Sequence, residues 1–232
     1  MKPTEPVPED PYMLSRLART LLPAFARLTV TTDPGADLTP GSIIAANHSS
    51  LADPAVVLAA LHRLGVEPVV LAAAGLWRIP GLGRALTREG FVPVHRGGPQ
   101  AVAALGGAEA ALAAGRSVLI YAEGGIPPRA DSGEAAPAAF RGGISLLARR
   151  TGAPVVPLGQ AGARRIASGH WTKQLAGVAT APLRRPNLHV HVGAPVTLTG
   201  DRGAATDQAH RSVTLAWRTA ARHLGAPAAL AA

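Results

Sequence analysis

The apolar run Ser42-Ile43-Ile44-Ala45-Ala46 breaks off at the polar cluster Asn47-His48-Ser49-Ser50, and Asp53-Pro54 follows shortly after. A short, continuously apolar run ending in polar residues reads as a buried strand. Asp-Pro reads as the entrance of a helix, because aspartate is a favoured N-cap and proline suits the first helical position. The segment is therefore strand, loop and helix, with the helix running from Pro54 to Leu64. Five helical steps of about 100° leave two side chains roughly 140° apart, so His48 and Asp53 cannot share one face of a continuous helix. They can meet only across a turn. Two readings of the pair stand side by side here: a capping aspartate beside an incidental loop histidine, or a catalytic pair.

The 232 residues suit one α/β domain, with or without a small appendage, and can bury a substantial core. The absence of cysteine excludes disulfides, a cysteine nucleophile and thiolate metal sites, and fits a reducing cytosolic setting. A formal charge of +9 favours anionic partners: nucleic acid, anionic lipid or phosphorylated substrates. Three tryptophans, two tyrosines and three phenylalanines are few for stacking exposed bases, and no long Lys/Arg run or zinc-finger spacing appears, so nucleic acid is the weaker choice. No apolar run approaches the ~20 residues of a membrane-spanning helix, and no signal-peptide pattern opens the chain. The expected location is cytoplasmic, with peripheral attachment to the inner face of the cell membrane as an option.

Residues 1–10 carry three prolines and mixed charge, and read as a flexible lead. From Tyr12, Leu14, Leu17, Ala18, Leu21, Leu22, Phe25 and Leu28 recur at helical spacing with Arg16, Arg19 and Arg27 interleaved, and Pro23 predicts a kink or two short helices. This amphipathic stripe suits either packing on its own domain or an interfacial position on anionic headgroups. Further strands are expected at Pro68 to Ala73, Gly90 to Val94, Ser117 to Tyr121, Pro154 to Leu158 and Leu188 to Gly193. Leu76 to Arg84 reads as an apolar loop or short helical turns, Pro127 to Ala139 as a long mobile loop, and about 203–224 as the last helix. Trp171 is an anchor or a core residue. His189 and His191 share one strand face; with no third ligand suggested, a polar sheet face is expected rather than a metal site. The expected division is a lead and amphipathic segment over 1–32, the main domain over 33–224 and a loose tail over 225–232.

Four landmarks stand in order. Asn47-His48-Ser49-Ser50-Leu51-Ala52-Asp53 is followed by Gly90 to Arg96, then by Tyr121-Ala122-Glu123-Gly124, then by Val155-Val156-Pro157. Together they resemble the four blocks of the glycerophospholipid (lysophosphatidic acid) acyltransferase family, the first matching its NHxSxxD block. Trp77 to Gly83 and Phe140-Arg141-Gly142-Gly143 also fall where that family has similar segments. The resemblance covers roughly Ser42 to Gly159. It implies an α/β fold, with a mixed, largely parallel central sheet flanked by helices and an N-terminal amphipathic segment.

The resemblance also implies that His48 acts as general base on an acceptor hydroxyl while Asp53 orients its imidazole. The hydroxyl then attacks an acyl thioester on CoA or acyl carrier protein, with no acyl-enzyme, no metal and no further cofactor. Asn47, Ser49, Arg96, Glu123, Gly124, Gly125, Arg129 and Arg141 are the expected substrate-binding residues. The chemistry agrees: an alcohol is a poor nucleophile until deprotonated, and histidine is suited to that at neutral pH. No GxSxG elbow is present to suggest a serine hydrolase. The backbone amides of Gly124-Gly125 are candidates for holding an oxyanion or the acceptor.

One departure bears on the substrate. Where the family's third block continues FPEGTRS, this chain has Tyr121-Ala122-Glu123-Gly124-Gly125-Ile126, so Ile126 occupies the place of a phosphate-binding arginine. Either Arg129 replaces it, or the acceptor carries no phosphate there. The alternatives to a lysophospholipid-like acceptor are therefore a small non-phosphorylated hydroxylated metabolite, or a membrane-surface lipid-binding protein without activity.

Overall fold

A computed structural model describes residues 12–95, 100–129 and 131–226. The elements in chain order are α1 (Met13–Phe25), β1 (Arg27–Thr32), β2 (Ile43–Ala46), α2 (Asp53–Arg63), β3 (Val69–Ala73), α3 (Leu82–Arg88), β4 (Val92–Val94), α4 (Gln100–Ala113), β5 (Val118–Tyr121), α5 (Gly143–Thr151), β6 (Val155–Ala161), α6 (Trp171–Arg184), β7 (Asn187–Val192) and α7 (Arg202–His223). A 3-10 segment, Ala74–Arg78, carries the Trp77 region into α3, and a second, Ala163–Arg165, follows β6.

The strands form one sheet in the order β1-β7-β6-β2-β5-β3-β4, parallel throughout except where β6 meets β7. The mixed, largely parallel α/β fold is thus as expected. Continuous apolar runs serve because the central strands are buried on both faces. In β2, Ile44 and Ala46 pack with Leu22 of α1, the apolar residues of α2 and Ala181 of α6, whereas Ile43 and Ala45 pack with α4, α5 and α7. At Gly159 in β6 a Cβ would overlap the backbone of Ala216 and Trp217, so α7 lies directly on the sheet there.

The amphipathic stripe ends earlier than the spacing predicts. Pro23 sits in the last turn of one unbroken α1, and residues 27–32, expected to continue the helical segment, instead form edge strand β1 against β7. Leu28 and Val30 are half-buried on either side of the exposed Thr29, the period-two signature of a strand. The face of β7 carrying His189 and His191 is polar but buried: both accept or donate at Thr31 Oγ1 at 2.9 Å, His191 Nε2 lies 3.1 Å from Asp33, and His189 stacks on His223 with centroids 4.1 Å apart. The expected lead over 1–10 lies outside the described residues, as does most of the expected tail.

Candidate active site

Register builds the site. Ala46 at the end of β2 pairs with Tyr121 of β5 on one side and with Leu158 of β6 on the other. Two residues further along each parallel strand, His48 meets Glu123: Glu123 Oε1 accepts the His48 backbone N–H at 2.7 Å. On the β6 side, Asn47 and Gln160 exchange two bonds, Asn47 Nδ2 donating to the Gln160 carbonyl at 3.1 Å and Asn47 Oδ1 accepting the Gln160 amide at 2.8 Å. The loop that carries His48 is therefore held between two strands at the carboxyl edge of the sheet, the edge where open α/β sheets bind ligands.

Asp53 does not cap α2 as expected. Its side chain turns back over the loop, where Oδ2 accepts the amides of Ser49 at 2.5 Å and Ser50 at 2.8 Å, and it lies 3.0 Å from His48 Nδ1. The helix starts one residue earlier than expected, with Ala52 at the N-cap position, so Asp53 already lies in the first turn. An oxygen already accepting two amides acts as an acceptor toward the imidazole, so Nδ1 carries the proton and Nε2 keeps its lone pair. Nε2 has no hydrogen-bond partner among the described residues. The ring is further fixed by Tyr121, stacked on it with centroids 4.4 Å apart and planes 29° from parallel. Burial, then the Asp53 charge, pushes the Tyr121 phenol well above its ordinary value, keeping it neutral.

His48 lines a cavity of about 130 Å³ together with Asn47, Ser49, Glu123, Arg129 and Arg164. Glu123 is committed at both oxygens, Oε2 accepting the Ala138 amide at 3.0 Å, and burial raises its carboxyl pKa. It thereby ties Ala138 to the loop that carries His48. Ser49 Oγ accepts from the Gln160 side chain at 3.2 Å. Gly124, at φ +76°, has its amide in a turn to the Tyr121 carbonyl at 3.1 Å, and a Cβ there would lie 2.5 Å from Arg141 Nε. Gly124, Gly125 and Arg141 do not line the cavity, and the Gly124 amide is not free for an oxyanion. Arg129 does line it, its guanidinium paired with Asp131 at 2.9 Å, which holds that carboxyl below its usual range. Arg96 lies outside the described residues.

Arg164 is the participant that sequence reading missed. It is buried and its fork reaches three carbonyls: Gly133 at 2.8 Å, Ser49 at 2.9 Å, and Asp131. Glu134 adds a bond from the Gly162 amide at 2.8 Å. The described residues of 127–139, a segment expected to be mobile, are irregular but anchored at these points. The only sequence signal for Arg164 was the Arg164-Arg165 doublet.

A largely parallel sheet presenting a His–Asp pair at its carboxyl edge, with the histidine lining a small cavity, defines an α/β protein with the parts for base-assisted group transfer. The profile of the family described as Acyltransferase matches residues 27–160, more than half of the chain, and the chain belongs to that family. The crystal structure of the 1-acyl-sn-glycerophosphate (LPA) acyltransferase PlsC from Thermotoga maritima superposes with a TM-score of 0.69 at 18% identity, covering 92% of this chain and 79% of that one. No curated protein matches the sequence. The protein is an acyltransferase, and no helix among the described residues is long and apolar enough to cross a membrane.

Proposed function

We propose that the protein transfers an acyl group from an acyl thioester, on CoA or acyl carrier protein, to a hydroxyl of a lysophospholipid-like acceptor. The observation that carries this reading is the His48 Nδ1–Asp53 contact at 3.0 Å, which leaves Nε2 as a base on the cavity. Nε2 takes the acceptor's hydroxyl proton as the oxygen forms its bond to the thioester carbon. The carbon–sulfur bond then breaks and the thiolate takes the proton from the imidazolium, so no acyl-enzyme forms. Asp53 stabilises the imidazolium and holds the tautomer. The cavity is small beside the ~300–1,000 Å³ of many ligand sites, which suits the reacting end of an acceptor with its chain lying outside.

Arg129 is the described cation able to leave its exposed partner for an acceptor phosphate, since the fork of Arg164 is spent on carbonyls. Ile126 favours a second reading in which the acceptor is a small hydroxylated metabolite without phosphate. Mass spectrometry of products from pooled acyl thioesters and pooled acceptors distinguishes them, with His48→Ala as control. An acylated lysophospholipid formed only by the unaltered chain is expected; equal product from His48→Ala would overturn the base assignment.

A further inference from the structure

Helix α6 is seated in reverse of an ordinary surface helix. Its inward side is made of small residues: Ala181 is fully buried, and a Cβ at Gly177, one turn earlier, would overlap the carbonyl of Ile166. Its large apolar side chains point away from the protein, with Trp171 62%, Leu175 54%, Val178 40% and Leu183 89% exposed. The first three follow the i, i+4, i+7 spacing of one helical face. A surface helix in water normally turns such residues inward and leaves the small ones out.

The exposure continues onto neighbouring elements. Helix α1 packs beside α6 and exposes Leu17 and Leu21, again one turn apart, and Leu51 within the catalytic loop is 68% exposed. The two regions are tied together, because Ser50 Oγ donates to the Ala167 carbonyl at 2.6 Å just before α6 begins. Several large apolar side chains exposed on adjoining elements mark an interaction site.

Charge selects the occupant. Helices α1 and α6 contain Arg16, Arg19, Lys173 and Arg184 but no aspartate or glutamate, and Arg165 and Arg185 flank α6. A second copy docked face to face would set these cations against their own equivalents with no carboxylate on either helix to answer them. A bilayer of anionic phospholipid meets both requirements, hydrocarbon for the tryptophan and leucines and headgroup phosphates for the basic residues. We propose that α6, with Leu17 and Leu21 of α1 beside it, is a docking surface for an anionic phospholipid membrane. This deepens the proposed reaction, since docking would bring the His48 loop to a lipid acceptor, yet the two can succeed or fail separately.

The test uses the full chain with vesicles of phosphatidylglycerol mixed into phosphatidylcholine, and of phosphatidylcholine alone. Co-sedimentation with the anionic vesicles, weakened by salt, is expected together with a blue shift of tryptophan emission that disappears in Trp171→Phe. Leu175→Ser with Val178→Ser should lower partitioning by at least about tenfold, while circular dichroism and turnover of a water-soluble substrate stay unchanged. Absence of binding, binding indifferent to the double variant, or a Trp171 signal that does not respond would each overturn the proposal. So would self-association that the double variant abolishes. Vesicle binding without turnover would refute the reaction alone; turnover without vesicle binding would refute the docking alone.

Discussion

The Glu123 carboxylate accepts the backbone N–H of His48 at 2.7 Å across the boundary between two parallel strands, and its second oxygen accepts the Ala138 amide at 3.0 Å. One buried side chain thus sets the height of the catalytic loop and closes one wall of the cavity beside it. The role is positioning: both oxygens face protein amides.

Glu123→Gln replaces one acceptor oxygen by a donor, which must face an N–H. We expect a loss of about 1–3 kcal/mol in stability from the mismatched buried amide and a fall in kcat on the order of 10- to 100-fold as His48 shifts. Denaturant melts and steady-state rates check the two effects together.

Asp53→Asn can keep an oxygen at the Oδ2 position for the Ser49 and Ser50 amides and His48 Nδ1, but it removes the negative charge that stabilises the imidazolium and puts an amide group where the buried Oδ1 lies. The expected result is a folded protein with kcat lowered on the order of 10³-fold or more and little change in KM. Rates near those of the unaltered chain would return Asp53 to a merely structural part.

Arg129→Ala discriminates between acceptors. With a phosphate-bearing acceptor, loss of a charge-assisted contact should raise KM about 10- to 100-fold. With an acceptor lacking phosphate, KM should hold or fall slightly. Equal KM values for both acceptors would remove Arg129 from recognition.

Burial, followed by the charges of His223 and His191, lowers the His189 pKa from 6.5 to about 4. Asp33, paired with His191, is the acidic group of the same cluster. A folded-state value below the unfolded one means that the native state binds fewer protons, so this contribution to stability is present above about 6.5 and is lost as pH falls toward 4. Denaturation midpoints should therefore decline over that window, and His189→Gln should flatten the decline.

Central strands were legible because burial on both faces demands continuous apolar runs, and Ile43–Ala46, Val118–Tyr121 and the Val155 to Leu158 part of β6 supply them. Edge strand β1 was not, because its half-buried alternation follows α1 without a strong breaker and Leu28 also fits the helical period. His48 and Asp53 were legible as a pair across a turn, since no helix lets residues five apart share a face.

The sequence by itself determined the strand–loop–helix unit, the pairing of His48 with Asp53 across its turn, and the order of the landmarks, all of which are local properties of residue type and spacing. The tertiary structure decided what those residues face. The register of β2 between β5 and β6 made Glu123 and Asn47 clamps on the loop, and the path after β6 buried Arg164 among three carbonyls. The packing of α6 on Gly177 turned Trp171 outward. Hydrogen bonds and burial between separate segments of the chain depend on how strands and helices align, and no local pattern carries that information.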